Sequence, residues 1–221
     1  MKSGTLFVDA SRRRGARWLA LLALALLAAC GSLLPKPPAQ PALYVLDDQA
    51  ATAADSAAKP PPITAMATLL VDAPRAAPGY DTRQIAYVRK SSQLEYFAFS
   101  EWVQPPAMML APMLVRAIEH TGAFRAVVRA PTSVSGDLRL ETELVRLHQV
   151  FSDSPSRVRL TVRAVLIDTA TRRVIASREF DEEAASASDD PAGGVMAANQ
   201  VGRRVAAEVA AFCAQALASR K

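Results

Sequence analysis

In residues 157–168, Val158, Leu160, Val162, Ala164 and Leu166 alternate with Arg157, Arg159, Thr161 and Arg163. Side chains on a β-strand point alternately to opposite faces, so this stretch is a strand with one apolar and one charged side. It needs a cover for the first and neighbours along its edges. The neighbours are close in sequence. Residues 137–151 read as a second long strand, joined through 152–156, where Asp153 and Pro155 suit a turn. A further turn at 168–172 leads to a third strand over 174–180. The charged side is expected to be solvated, or paired with Glu141 and Glu143 across the ladder. Apolar parity changes between Leu144 and Val145, which predicts a bulge or a face covered by a helix.

Two helices can supply the cover. In residues 101–120, Met109, Leu110, Met113, Leu114, Ala117 and Ile118 follow one helical face, with Pro105 and Pro106 in the first turn and Gly122 at the end. Pro112, inside this run, predicts a kink or a division. Asp190 followed by Pro191 is a capping side chain before a proline at the first helical position. Val195, Ala198, Val201, Val205, Val209, Phe212, Cys213 and Ala216 then form a stripe to the C-terminus. Cys213 reads as a small buried apolar side chain. Earlier, 43–46 fits a short edge strand, 64–72 a buried strand, 83–89 and 94–98 a pair turning at 90–93, and 124–128 a short strand. The expected fold class is α/β: a single domain over 43–221, a mixed β-sheet with two main helices packed on it, and a flexible loop at 48–62.

The N-terminal end belongs to a different regime. Arg12, Arg13, Arg14 and Arg17 precede twelve apolar residues, 18–29, closed by Leu27-Ala28-Ala29-Cys30. A membrane-spanning helix takes about 20 apolar residues, so this segment is too short to be retained as a span. Its order is that of a signal peptide, residues 1–29, cut before Cys30. The run Leu27, Ala28, Ala29, Cys30 is similar to a bacterial lipobox, which implies acyl chains such as palmitate on Cys30. Gly31 after it favours the outer membrane. Residues 30–42, with Pro35, Pro37, Pro38 and Pro41, form an extended tether. Removing the signal takes away five of the 26 Lys and Arg but one of the 21 Asp and Glu, leaving a nearly neutral body. The basic precursor is therefore no footprint for nucleic acid.

Catalytic chemistry has little to work with, and no cofactor or metal site is expected. His120 and His148 are the two histidines, and there is no Gly-x-Ser-x-Gly, His-Glu-x-x-His or phosphate-loop motif. His120 falls at a helix end, where it complements the dipole. His148 reads as a surface or half-buried residue. The pair Glu141 and Glu143 follows from strand alternation alone. Asp181, Glu182, Glu183, Asp189 and Asp190 read as a solvated acidic loop without calcium-site spacing. Tyr80, Tyr87, Tyr96 and Trp102 suit either a contact surface or packing between the first helix and the sheet. Arg83 suits a partner carboxylate or an internal pair with Asp81.

A lipidated cysteine, a Pro-rich tether, Tyr44-Val45-Leu46, Pro78-Gly79-Tyr80-Asp81-Thr82-Arg83-Gln84-Ile85, Tyr87-Val88-Arg89, Trp102, the helix to Gly122, the 140–180 meander and the terminal helix resemble, in that order, the ABC-type transport auxiliary lipoprotein family. Thr82 and Phe212 depart from it, where an apolar or acidic residue and a tryptophan are more common. The resemblance implies a non-catalytic part of an intermembrane lipid-transport system, facing the periplasm from the outer membrane. Its partners would be an Mce-type periplasmic substrate-binding protein, an ABC permease and an ATPase, with Tyr80, Arg83 and Trp102 as candidate partner contacts. Homo-oligomerisation stays open. The rival reading is a lipoprotein regulator of a cell-wall synthase; a hydrolase would require a site of another kind.

Overall fold

A computed structural model describes residues 40–47, 67–90, 92–152 and 154–219. In chain order these form β1 (Ala42–Tyr44), β2 (Thr68–Val71), β3 (Arg75–Ala76), β4 (Gln84–Val88), β5 (Glu95–Trp102), α1 (Pro106–His120), β6 (Ala126–Arg129), β7 (Leu138–Val150), β8 (Arg157–Asp168), β9 (Val174–Ala185) and α2 (Pro191–Ala218). The signal peptide, Cys30, most of the tether and the 48–62 loop lie outside the described residues.

β7 organises the sheet. It pairs in parallel with β2 through Leu138–Leu140, with β3 through Glu143 and Leu144, and with β4 through Gln149 and Val150. Antiparallel β8 pairs along the full length of β7, and β9 follows β8. The expected three-stranded meander is thus present. The register shifts between Leu144 and Arg146, where the sequence parity changes. β6 lies parallel to β2, β5 lies antiparallel to β4, and β1 adds a parallel edge to β5. The sheet is therefore mixed, as expected.

Both helices cover the apolar side. Leu69, Leu140, Leu144, Leu160 and Leu166 of the sheet and Ile118, Val201, Val205, Val209 and Cys213 of the helices are fully buried in one core. Each large side chain removed from water in this way contributes about 1.5–3 kcal/mol. Asp190 caps α2 by accepting from Gly193 N at 2.8 Å, and Pro191 takes the first position.

Several boundaries differ from expectation. The first helix starts at Pro106, not residue 101, because Glu101 and Trp102 still belong to β5. Pro112 does not divide α1, which runs on to His120. The acidic stretch after residue 180 is no loop: β9 continues to Ala185 and includes Asp181, Glu182 and Glu183. Alternation explains it. Phe180 and Ala184 are buried, Asp181 accepts from Arg159 Nε at 2.9 Å, and Glu182 meets Arg204 Nε of α2 at 2.6 Å. Each carboxylate has a cation at the strand surface it faces.

Candidate functional site

Residues 77–83 connect β3 to β4, and both strands pair with β7. The stretch of β7 between those pairings contains its bulge, so the connection lies beside the irregular part of the ladder. Gly79 turns the chain with φ +87°, a left-handed conformation suited to glycine. Tyr96 Oη donates to the Gly79 carbonyl at 3.0 Å, and Ala77 N donates to Leu144 O at 2.9 Å. These contacts hold the loop against the sheet.

The three residues picked out from the sequence occupy different environments. Tyr80 is half-buried, with its hydroxyl 2.7 Å from His148 Nδ1. Arg83 is exposed; its Nε donates to Trp102 O at 3.0 Å and its guanidinium lies 3.3 Å from Glu101, rather than pairing with Asp81. Trp102 is 3% exposed and belongs to the core; its backbone N donates to Arg83 O at 2.7 Å. Arg83 and Trp102 are therefore joined by two hydrogen bonds, and the indole lies beneath the surface that Arg83 occupies. Tyr87 packs on Phe97 with ring centroids 4.5 Å apart and the planes tilted by 37°, and both it and Arg89 bond Glu95.

The electrostatics around Tyr80 are set by burial and cations. His148 is pushed down to about 4, by burial first and then by Arg146 and Arg159, so it is neutral near pH 7. With Nδ1 as acceptor, the Tyr80 hydroxyl is the donor. Burial likewise raises the Tyr80 phenol. Arg159 and Thr161 hydrogen bonds hold Asp181 down to about 2, and Glu183 lies 3.5 Å from Arg159. Arg163 bridges Glu143 at 3.4 Å and Glu179 at 3.0 Å, so the charged side of β8 is paired across both neighbours.

His148 Nδ1 is taken up by the Tyr80 hydroxyl, and among the described residues no serine, threonine or cysteine side chain hydrogen-bonds the imidazole. Cys213 is fully buried, and burial pushes its thiol up to about 12. His120 Nδ1 lies 2.6 Å from Arg116 O at the end of α1. Among the described residues no His, Cys, Asp and Glu group could hold a metal, and no helix is long and apolar enough to cross a membrane.

One buried polar group escaped the sequence reading. Gln149 is 2% exposed on the core side of β7, and its Nε2 donates to Ser156 Oγ at 2.8 Å and Ser186 Oγ at 3.3 Å. Its signal was a polar residue in the apolar parity that follows the bulge.

The family model of the ABC-type transport auxiliary lipoprotein component matches residues 44–210, from β1 to the last turns of α2. The chain belongs to this family. Among solved structures, a Xanthomonas campestris protein is 25% identical, covering 80% of this chain and 94% of that one at a TM-score of 0.64. An uncharacterised protein is 16% identical over 79% of this chain and 99% of the other, at a TM-score of 0.60. No curated protein matches. In this auxiliary lipoprotein the Pro78–Ile85 motif is thus the segment that spans the β7 bulge, with Tyr80 and Arg83 at its surface and Trp102 bonded beneath.

Proposed function

We propose that this auxiliary lipoprotein is a non-catalytic docking component of an Mce-associated intermembrane lipid-transport system. Cys30 carries the acyl chains that hold it in the outer membrane. The folded domain faces the periplasm and binds the Mce-type protein, while a separate permease and ATPase move substrate and hydrolyse ATP. The family match over residues 44–210 carries this reading. The motif loop supports it, because Tyr80 and Arg83 are anchored on the sheet by side-chain bonds yet leave Arg83 exposed. Preorganised contacts of this kind lose little entropy on binding.

The full-length lipoprotein, expressed with an Mce-type protein from the same genome, should crosslink to that protein and co-purify in detergent. Arg83→Glu should reduce the yield several-fold while leaving the unfolding midpoint within a few degrees. Cys30→Ser should move the protein from the outer-membrane fraction to the soluble periplasm. Failure to crosslink with the wild-type domain folded and anchored would sink the docking role, and retention of Cys30→Ser in the membrane would sink the anchor.

A further inference from the structure

A second feature, a groove that reaches Val103 next to Trp102, is not used by the docking contacts. The segment following β1 packs between the helices: Asn199 of α2 accepts from Asp47 N at 2.7 Å and donates to Val45 O at 3.3 Å, and Leu46 N donates to Met109 Sδ of α1 at 3.4 Å. Leu46 is buried, but Val45 is 46% exposed. Val45, Val103, Met108 and Pro112 line one open groove of about 340 Å³ with Arg116 and Arg129. Met108 is 58% exposed and Met196, one turn before Asn199, is 65% exposed. Val45, Val103 and Met108 thus leave apolar, adaptable surface on this groove, and Met196 is exposed one turn from the Asn199 that holds the segment following β1.

We propose that this groove is a lipid-surface contact, through which the domain lies against the bilayer that anchors it. The proposal rests on the acylated Cys30 of the functional reading. Three features choose the occupant. The groove begins at Val45, a few residues after the tether joins β1, and a proline-rich tether of ten or so residues reaches roughly 30 Å at full extension, so this end of the domain is confined near the anchoring membrane. Its exposed side chains are apolar and conformationally adaptable, suited to a fluid interface. Arg129 at its rim is exposed and carries the charge that attracts lipid phosphates. Confinement raises the effective concentration of the surface enough for a small patch to engage.

The test uses full-length, acylated protein reconstituted in vesicles of equal parts phosphatidylethanolamine and phosphatidylglycerol. Nitroxide labels are placed singly at Met108→Cys, Met196→Cys and, as a distant control on β9, Val174→Cys; buried Cys213 stays unlabelled. On vesicles, collisions with oxygen should rise and collisions with a water-soluble nickel chelate should fall several-fold at the two methionine positions, with Val174→Cys unchanged. Equal nickel accessibility at all three sites on bound vesicles overturns the lipid contact while leaving the anchor intact. Shielding from both reagents with or without vesicles overturns it in favour of coverage by protein. Absence of vesicle binding overturns the anchor itself and this inference with it.

Discussion

Gly194 on α2 lies so close to Gln149 on β7 that a β-carbon at Gly194 would fall well inside van der Waals contact of the Gln149 Oε1 atom. The buried amide is fixed from its other end by Ser156 and Ser186, so it has no direction in which to retreat. Gly194→Ala should therefore destabilise the domain by about 1–3 kcal/mol despite the better helix propensity of alanine, read as a lower urea midpoint. Gly202 is the control. A β-carbon there would meet the flexible Met113 Cε at 3.1 Å, so Gly202→Ala should be neutral or mildly stabilising. Equal losses at both positions would refute the role given to Gln149.

His148 should make stability depend on mild acid. Its folded value of about 4 lies below the ordinary 6.5, so the unfolded chain takes up the extra proton between those values. The contribution is complete above the ordinary value and is lost as pH falls toward the folded one, amounting to at most about 3 kcal/mol. Urea unfolding from neutral pH down to about pH 4.5 should show this slope, and His148→Gln should flatten it. A resonance assigned to His148, by its loss in His148→Gln, titrating at the ordinary position in the folded protein would contradict the burial described for this ring.

Cys213 should resist thiol reagents. Its side chain is fully buried and its thiol is pushed up to about 12, so thiolate is scarce and access is closed. Labelling by a water-soluble disulfide reagent should follow global unfolding and accelerate in urea along with loss of the helical signal. Fast labelling of native protein would require α2 to open by itself.

Pro112→Ala should stabilise α1. Pro112 lies within the helix and has no backbone N–H to donate. Restoring that bond outweighs the lost stiffness of the unfolded chain, for a gain of about 1–2 kcal/mol in thermal or urea unfolding. No gain would mean that packing of the proline ring in the groove compensates for the missing bond.

The parts legible in the sequence were those with short-range signals. Alternation from Val158 to Leu166, the parity change after Leu144 and the Asp190-Pro191 cap each state their structure within a few residues. The end of β9 was not legible, because Asp181, Glu182 and Glu183 look like a loop until Arg159 and Arg204 are brought beside them from distant positions. The start of α1 was misplaced for a related reason: Glu101 and Trp102 are held in the sheet by Gln84, Tyr44 and Arg83, none of them a local neighbour. The parallel pairings of β2, β3 and β4 with β7 leave no mark in composition at all. For the candidate site, Tyr80 and Arg83 are legible as residues of the motif, whereas Trp102 is buried and His148 and Gln149 acquire their partners only once β7 is placed.

The dependence of β2, β3 and β4 on β7 has a consequence for the life of the chain before it is folded. Their shared template begins at residue 138, more than halfway along the polypeptide. A chain emerging from its N-terminus carries an early half whose longest-range ladder is still unwritten, and it remains threadable until that strand arrives. On the proposed route, across one membrane to an anchor in another, late commitment of this kind would keep the door open during passage and close it afterwards.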